Sequence, residues 1–220
     1  MSRPMNDTKR DAALHSAMTT EHFVLQGAAS ATSADAASRS SLYMLALSSS
    51  LVALGFISGS PGVFLPFAVV VLPVIFVFGL LTTIRLIDIT LENQQHLSNI
   101  ARVRAYYRTL GPAAEAYFSK HTGRWPESAY NPSGRLGSLM ASLSTTATMI
   151  ALINNVVGAA GVALLTRRLV GENHAGLAWI AGAATFVLLT IAFVVFENWR
   201  FREIDRFAHP TIEPGASGPQ

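Results

Sequence analysis

Four stretches of the chain are rich in apolar residues and contain no Asp, Glu, Lys, Arg or His. They comprise residues 41–57, 63–84, 139–166 and 177–196, which are 17, 22, 28 and 20 residues long. A helix of roughly 20 residues crosses the hydrocarbon core of a bilayer. Because unpaired backbone groups are costly in lipid, helices are the expected spanning form. The pattern therefore predicts an all-α integral membrane protein with four transmembrane helices.

Short turns join the spans in pairs, with the sequence SGSPG in the first pair and RRLVGENHAG in the second. We therefore expect two helical hairpins. The first occupies residues 19–110 and includes helical extensions into the cytoplasm, whereas the second occupies residues 139–208. A cytoplasmic linker over residues 111–138 joins the two hairpins. Residues 1–18 and 209–220 are polar and are expected to be disordered.

Charge supports this picture and orients the chain. Only 13% of the residues are charged, against about 25% in soluble domains, so the bilayer is the first expected partner. Of the 16 lysines and arginines, 14 lie in the two termini and in residues 85–138. The positive-inside rule then predicts a multi-pass protein of the cell membrane with both termini cytoplasmic. A net charge of +3 is too small to indicate a nucleic-acid partner.

The third span carries polar residues in an otherwise apolar sequence. An amide facing lipid would lack a partner, so at least one of the two asparagines should point into the bundle. One interpretation is hydrogen bonding between helices within the bundle, and the other is the lining of a pore or solute path. The candidate intramembrane polar seam consists of Ser144, Thr148, Asn154 and Asn155.

Two further features of the spans have both structural and functional interpretations. Pro66 and Pro73 lie seven residues apart in the second span, where they are candidates for a hinge, although membrane helices also tolerate proline. Ala178 and Gly182 form a small-residue face on the fourth span. Such a face permits close helix packing, either in a homo-oligomer or within the chain's own bundle.

Residues 85–110 continue beyond the second span as an amphipathic helix that should stop at Gly111-Pro112. We expect this helix to pair antiparallel with residues 19–40. The rival geometry bends the chain near Thr82-Thr83 and lays the helix on anionic headgroups. The candidate cytoplasmic interaction surface, for lipid or for a protein partner of unknown identity, consists of Arg102, Arg104, Tyr107 and Arg108.

The sequence offers no catalytic, cofactor or metal site. Asp88, Glu92 and His96 repeat every four residues, but such a row extends too far along one helix to hold a single ion. No nucleotide-binding, zinc-protease or serine-hydrolase motif is present. The absence of cysteine also excludes disulfides and thiol catalysis. We therefore expect no cofactor and no enzymatic activity.

Two functions fit these patterns. The first is a structural or interaction role, as a scaffold, an assembly factor or a regulatory subunit. The small-residue faces, the amphipathic extension and the missing catalytic groups favour it. The alternative is an oligomeric, pore-forming or channel-like effector whose third transmembrane helix lines the path.

Overall fold

The computed structural model describes residues 7–118, 145–171 and 174–208, which are helical apart from short turns and contain no strand. The helices are α1 (Asp7–Ile57), α2 (Pro61–Arg108), α3 (Pro112–Tyr117), α4 (Thr146–Val170) and α5 (Ala175–Ala208). All but α3 are long and apolar enough to cross a membrane. The prediction of an all-helical, multi-pass membrane protein with four such helices is therefore confirmed. Residues 1–6, 119–144, 172–173 and 209–220, with most of the predicted linker, lie outside the described residues.

The first two helices are much longer than a membrane crossing requires. Helix α1 has 51 residues and α2 has 48, so each is over 70 Å long, against roughly 30 Å for the hydrocarbon core. Each helix therefore has a spanning part and a further part. We call residues 9–38 of α1 and 85–108 of α2 together the extension.

The start of α1 differs from the sequence-based expectation. The helix begins at Asp7, within residues 1–18, for which the sequence predicts disorder. Two physical reasons account for this difference. The segment is rich in Ala, Leu and other good helix formers, and Met18 packs against an apolar cluster formed with α2. The contact of Met18 with this cluster stabilises a helical turn that the polar composition of residues 1–18 does not by itself indicate.

The spanning parts form one bundle with α2 near its centre. Helix α2 packs against α1 on one side and against α4 on the other, and α5 packs mainly on α4. A single apolar core contains side chains from all four long helices, including Tyr43 of α1, Ile75 of α2, Ile150 of α4 and Phe193 of α5. The same core continues past the spanning parts to Leu91 of α2.

Small residues bring α4 and α5 together. A Cβ added to Gly182 would lie 3.1 Å from the Cβ of Ala163 and 3.2 Å from the backbone oxygen of Ala159. Ala178, on the same face of α5, is buried. Close backbone approach of this kind is how helices associate in lipid, which supplies no hydrophobic drive. In this structure the small-residue face is used inside the chain's own bundle.

In the extension, α1 and α2 remain in contact. Leu25 packs against Ile100 and Val103, and the Thr32 hydroxyl donates a 3.2 Å hydrogen bond to the Asn93 side chain. Helix α2 runs without interruption through Thr82-Thr83, so the structure does not follow the rival geometry with a bend at that point. The helix ends at Arg108, close to the predicted stop.

Candidate functional site

Asn154 connects three helices within the spanning bundle. Its side chain on α4 is only 3% exposed. The amide oxygen accepts a 3.2 Å hydrogen bond from the Tyr43 hydroxyl on α1. The amide nitrogen donates a 3.1 Å hydrogen bond to the backbone oxygen of Phe76 on α2. One buried amide thus uses both of its polar ends between helices.

Gly79 makes room for this amide. A Cβ built at Gly79 would overlap the Asn154 amide oxygen and lie 2.7 Å from the Tyr43 ring. Because buried atoms at this point are closely packed, any side chain at position 79 would displace the asparagine. The glycine is therefore required by the close approach of α2 to α4.

Asn155 faces the remaining long helix. It is 6% exposed, and its amide nitrogen donates a 3.2 Å hydrogen bond to the Thr190 hydroxyl of α5. The two adjacent asparagines therefore reach α1, α2 and α5 from α4. We call Tyr43, Gly79, Asn154, Asn155 and Thr190 the asparagine hub.

The other two residues of the predicted polar seam are placed differently. Thr148 is buried near the start of α4, where its backbone N–H donates a 3.2 Å hydrogen bond to the Thr145 hydroxyl. That contact is an N-terminal cap of the helix. Ser144 lies outside the described residues. Both asparagines face the bundle, whereas Thr148 takes part in a cap, so the use of these residues as one continuous seam stays a prediction.

The two prolines stand on the lipid-facing side of α2. Pro66 and Pro73 are exposed within a helix that continues through both of them. Their role as a hinge stays a prediction. Pro73 also lines a groove of about 490 Å³ between α2, α4 and α5, whose wall is almost entirely apolar.

A group of charged side chains lies where the spanning part meets the extension. Asp88 of α2 accepts a 3.0 Å hydrogen bond from Arg200 of α5. Arg85 pairs with Glu92 at 3.1 Å and approaches Asp35 of α1 at 3.7 Å. Pairs this exposed contribute little to stability, typically about 0–1 kcal/mol each. The ion pairs nevertheless show which helices come together where the spanning part meets the extension.

These ion pairs involve two members of the predicted row of Asp88, Glu92 and His96. Each of the two carboxylates already accepts a hydrogen bond from an arginine. Among the side chains that the structure describes, no group of three His, Asp or Glu could hold a metal ion. The pairing of α2 with α5 through Arg200 is therefore the role that the contacts show for Asp88.

The candidate interaction surface on α2 is divided among several contacts. Arg102 is exposed, whereas Tyr107 joins the apolar cluster of the extension and stacks on Phe118 at 5.5 Å. Arg108 pairs with Glu115 of α3 at 3.0 Å. Only part of this predicted surface is therefore open to a partner.

Arg104 faces a histidine in the extension. The Nδ1 atom of His22 is buried without a hydrogen-bond partner in the described part of the chain. Burial lowers the pKa of His22 below its ordinary value of 6.5, and the positive charge of Arg104 lowers it further. Both effects disfavour the protonated ring.

Sequence reasoning found the asparagines but did not find their partners. Tyr43 is the only tyrosine in the four spans, and Gly79 is a lone glycine in a bulky apolar run, so each carried a weak signal. Asp88 and Arg200 lie just beyond their spans, and only the fold shows that they meet. Comparison of the chain with protein-family models, curated proteins and solved structures found no match.

Proposed function

We propose that this chain is a multi-pass protein of the cell membrane with a structural or interaction role, as a scaffold, an assembly factor or a regulatory subunit. Its two termini and the extension lie in the cytoplasm. The positive-inside rule supports this orientation, because 14 of the 16 basic residues fall on that side.

The observation that carries the proposal is the extension. A pair of helices that remain in contact beyond the spanning bundle presents a defined surface well away from the lipid headgroups. That surface includes exposed apolar side chains, such as Phe23 (67% exposed) and Val24 (59% exposed), as well as the exposed Arg102. Aromatic residues and arginine are enriched where proteins bind one another.

The contacts in the spanning bundle support a structural role for the asparagines. Asn154 and Asn155 form their hydrogen bonds with other helices of the same chain. A residue that lines a water-filled path would instead leave polar atoms directed at that path. The alternative, an oligomeric pore lined by the third transmembrane helix, has no comparable support from these contacts.

Site-specific photo-crosslinking in cells tests the proposal. A photoreactive residue replaces Phe23 or Arg102 in the extension, Leu45 in the first span, or Ile100 in the buried contact between α1 and α2. We expect protein adducts of one reproducible mass at Phe23 and Arg102. Leu45, which is 66% exposed within the span, should yield lipid adducts, and the buried Ile100 should yield only internal ones. Lipid adducts alone at Phe23 and Arg102 would contradict the interaction role.

A further inference from the structure

The groove between α2, α4 and α5 is open, apolar and limited to one half of the membrane. On α2 its wall runs from Leu65 to Phe76, and on α4 from Val157 to Arg168. Each of these segments advances eleven residues, or about 16 Å along the helix axis. Half of the hydrocarbon core is about 15 Å thick. The groove therefore has the length of one leaflet, from near the level of the asparagine hub to the end of α4.

The chemistry of the groove changes at its outer end. Its wall is aliphatic or aromatic along nearly all of its length, but Arg168 stands where α4 ends. Arg168 is exposed, and it has no hydrogen bond or ion pair with any part of the chain that the structure describes. An arginine at this depth places its guanidinium among the lipid phosphates. Guanidinium groups bind phosphate through paired, charge-assisted hydrogen bonds.

Glycines on α4 shape the inner wall. A Cβ at Gly158 would lie 2.7 Å from the Phe76 ring, so the Phe76 side chain already occupies the space in front of this glycine. A Cβ at Gly161, one turn further along, would meet no atom within 4 Å. No atom of the described part of the chain therefore fills the space in front of Gly161. In a bilayer such a space is filled by a hydrocarbon chain.

We infer that this groove binds one phospholipid of the leaflet on the side of the α4–α5 turn, with an acyl chain along Gly161 and the phosphate on Arg168. The length of the groove matches one acyl chain that reaches from the headgroups to the midplane. The single cation at its mouth complements an anionic headgroup. A second protein helix would fit the apolar wall but would leave the arginine without a partner.

Titration of the purified, full-length protein in detergent with dioleoylphosphatidylglycerol, followed by native mass spectrometry, tests the site. We expect one tightly held lipid per chain in the wild type. Gly161→Leu should abolish that binding, because leucine fills the groove without a clash. Arg168→Gln should weaken it about tenfold, since one charge-assisted contact is lost.

Two matched controls and a second probe keep the result specific. A Cβ at Gly55 also meets nothing within 4 Å, so Gly55→Leu adds the same bulk elsewhere in the spans and should leave binding unchanged. Arg167→Gln removes a charge next to Arg168 but outside the groove and should also have little effect. Dioleoylglycerol, which lacks the phosphate, should bind Arg168→Gln and wild type equally.

Three outcomes would overturn the inference. The first is unchanged lipid binding by Gly161→Leu, with the variant shown to be folded by its helical content and melting temperature. The second is an equal loss of binding in Gly55→Leu. The third is a change from dimer to monomer in Gly161→Leu without a change in lipid binding. The groove would then bind a second copy of the chain instead of a lipid.

Discussion

The spanning bundle and the extension share helices α1 and α2 but are held together in different ways. In the spanning bundle four helices meet around buried amides, and small residues let their backbones approach. In the extension the main contact is between α1 and α2, and it includes a narrow apolar seam at Leu25, Ile100 and Val103. Buried amides join the helices of the spanning bundle, whereas the extension pairs through this apolar seam and a few partly buried polar contacts such as Thr32 to Asn93.

The solvent explains this difference. Lipid tails are as apolar as leucine, so burying leucine between spanning helices gains little, whereas hydrogen bonds and close backbone contact specify the packing. In the cytoplasm, where we propose that the extension lies, the same burial gains about 25 cal/mol per Å² of apolar surface, so a few buried side chains suffice to pair two helices. The change from the packing of the spanning bundle to that of the extension occurs along α2 near Arg85 and Asp88, where the charged side chains begin.

The largest expected effect is that of a side chain at Gly79. Gly79→Leu should prevent the bundle from closing, because even its Cβ would overlap Asn154 and crowd the Tyr43 ring. Forcing extra bulk into a well-packed site costs about 1–3 kcal/mol or more. The measurement is folded yield after purification, combined with the thermal unfolding midpoint followed by circular dichroism.

Gly55→Leu is the matched control for this change. It adds the same side chain to a spanning helix at a position with no neighbour within 4 Å. Its folded yield and unfolding midpoint should stay close to the wild type. Equal behaviour of the two variants would show that the contact between Gly79 and the asparagine does not hold the bundle together.

A smaller effect is expected from the asparagines, and it should differ between them. Asn154→Leu removes hydrogen bonds to two helices, and Asn155→Leu removes a hydrogen bond to one. At about 0.6 kcal/mol per interhelical bond, we expect losses of roughly 1.2 and 0.6 kcal/mol in the free energy of unfolding. Reversible unfolding in mixed micelles would measure both values.

The same variants separate the structural role from a pore. Liposomes that contain the wild type should retain a small dye and a potassium gradient, and so should liposomes that contain Asn154→Leu. Release by the wild type that disappears in a folded Asn154→Leu protein would contradict the structural role and favour a conducting path. Tyr43→Phe is a useful companion, because it removes one hydrogen bond and leaves the asparagine in place.

The spans were predictable from sequence because charge is excluded from lipid over lengths that geometry fixes. Apart from the N-cap Thr145, the described part of each stretch lies in a long helix. That at least one of the two asparagines faces the bundle was also predictable, since an amide in lipid needs a partner. Their partners were not, because Tyr43 and Thr190 lie more than 30 residues away on other helices. The groove was hidden for the same reason, as it needs Pro73 and Gly161 on two different helices. The local pattern of apolar residues predicts where a helix forms, whereas the packing of side chains between helices determines which helices come into contact.

The smallest expected effect lies in the extension and depends on pH. Burial and the nearby Arg104 lower the pKa of His22 in the folded chain, whereas the unfolded chain titrates near 6.5. Above that pH both states are neutral at this residue, and the stability of the extension is at its full value. As the pH falls through 6.5 the unfolded state binds the proton first, so the stability decreases. The decrease is complete below the folded pKa.

Nuclear magnetic resonance titration of the histidine rings measures this directly, with His22→Gln used to assign the signal. We expect His22 to titrate below 6.5 and Arg104→Gln to shift its pKa part of the way back. A His22 pKa at or above 6.5 would show that water reaches this ring and that Arg104 does not face it. The contact between α1 and α2 in the extension would then be looser than its short apolar seam alone implies.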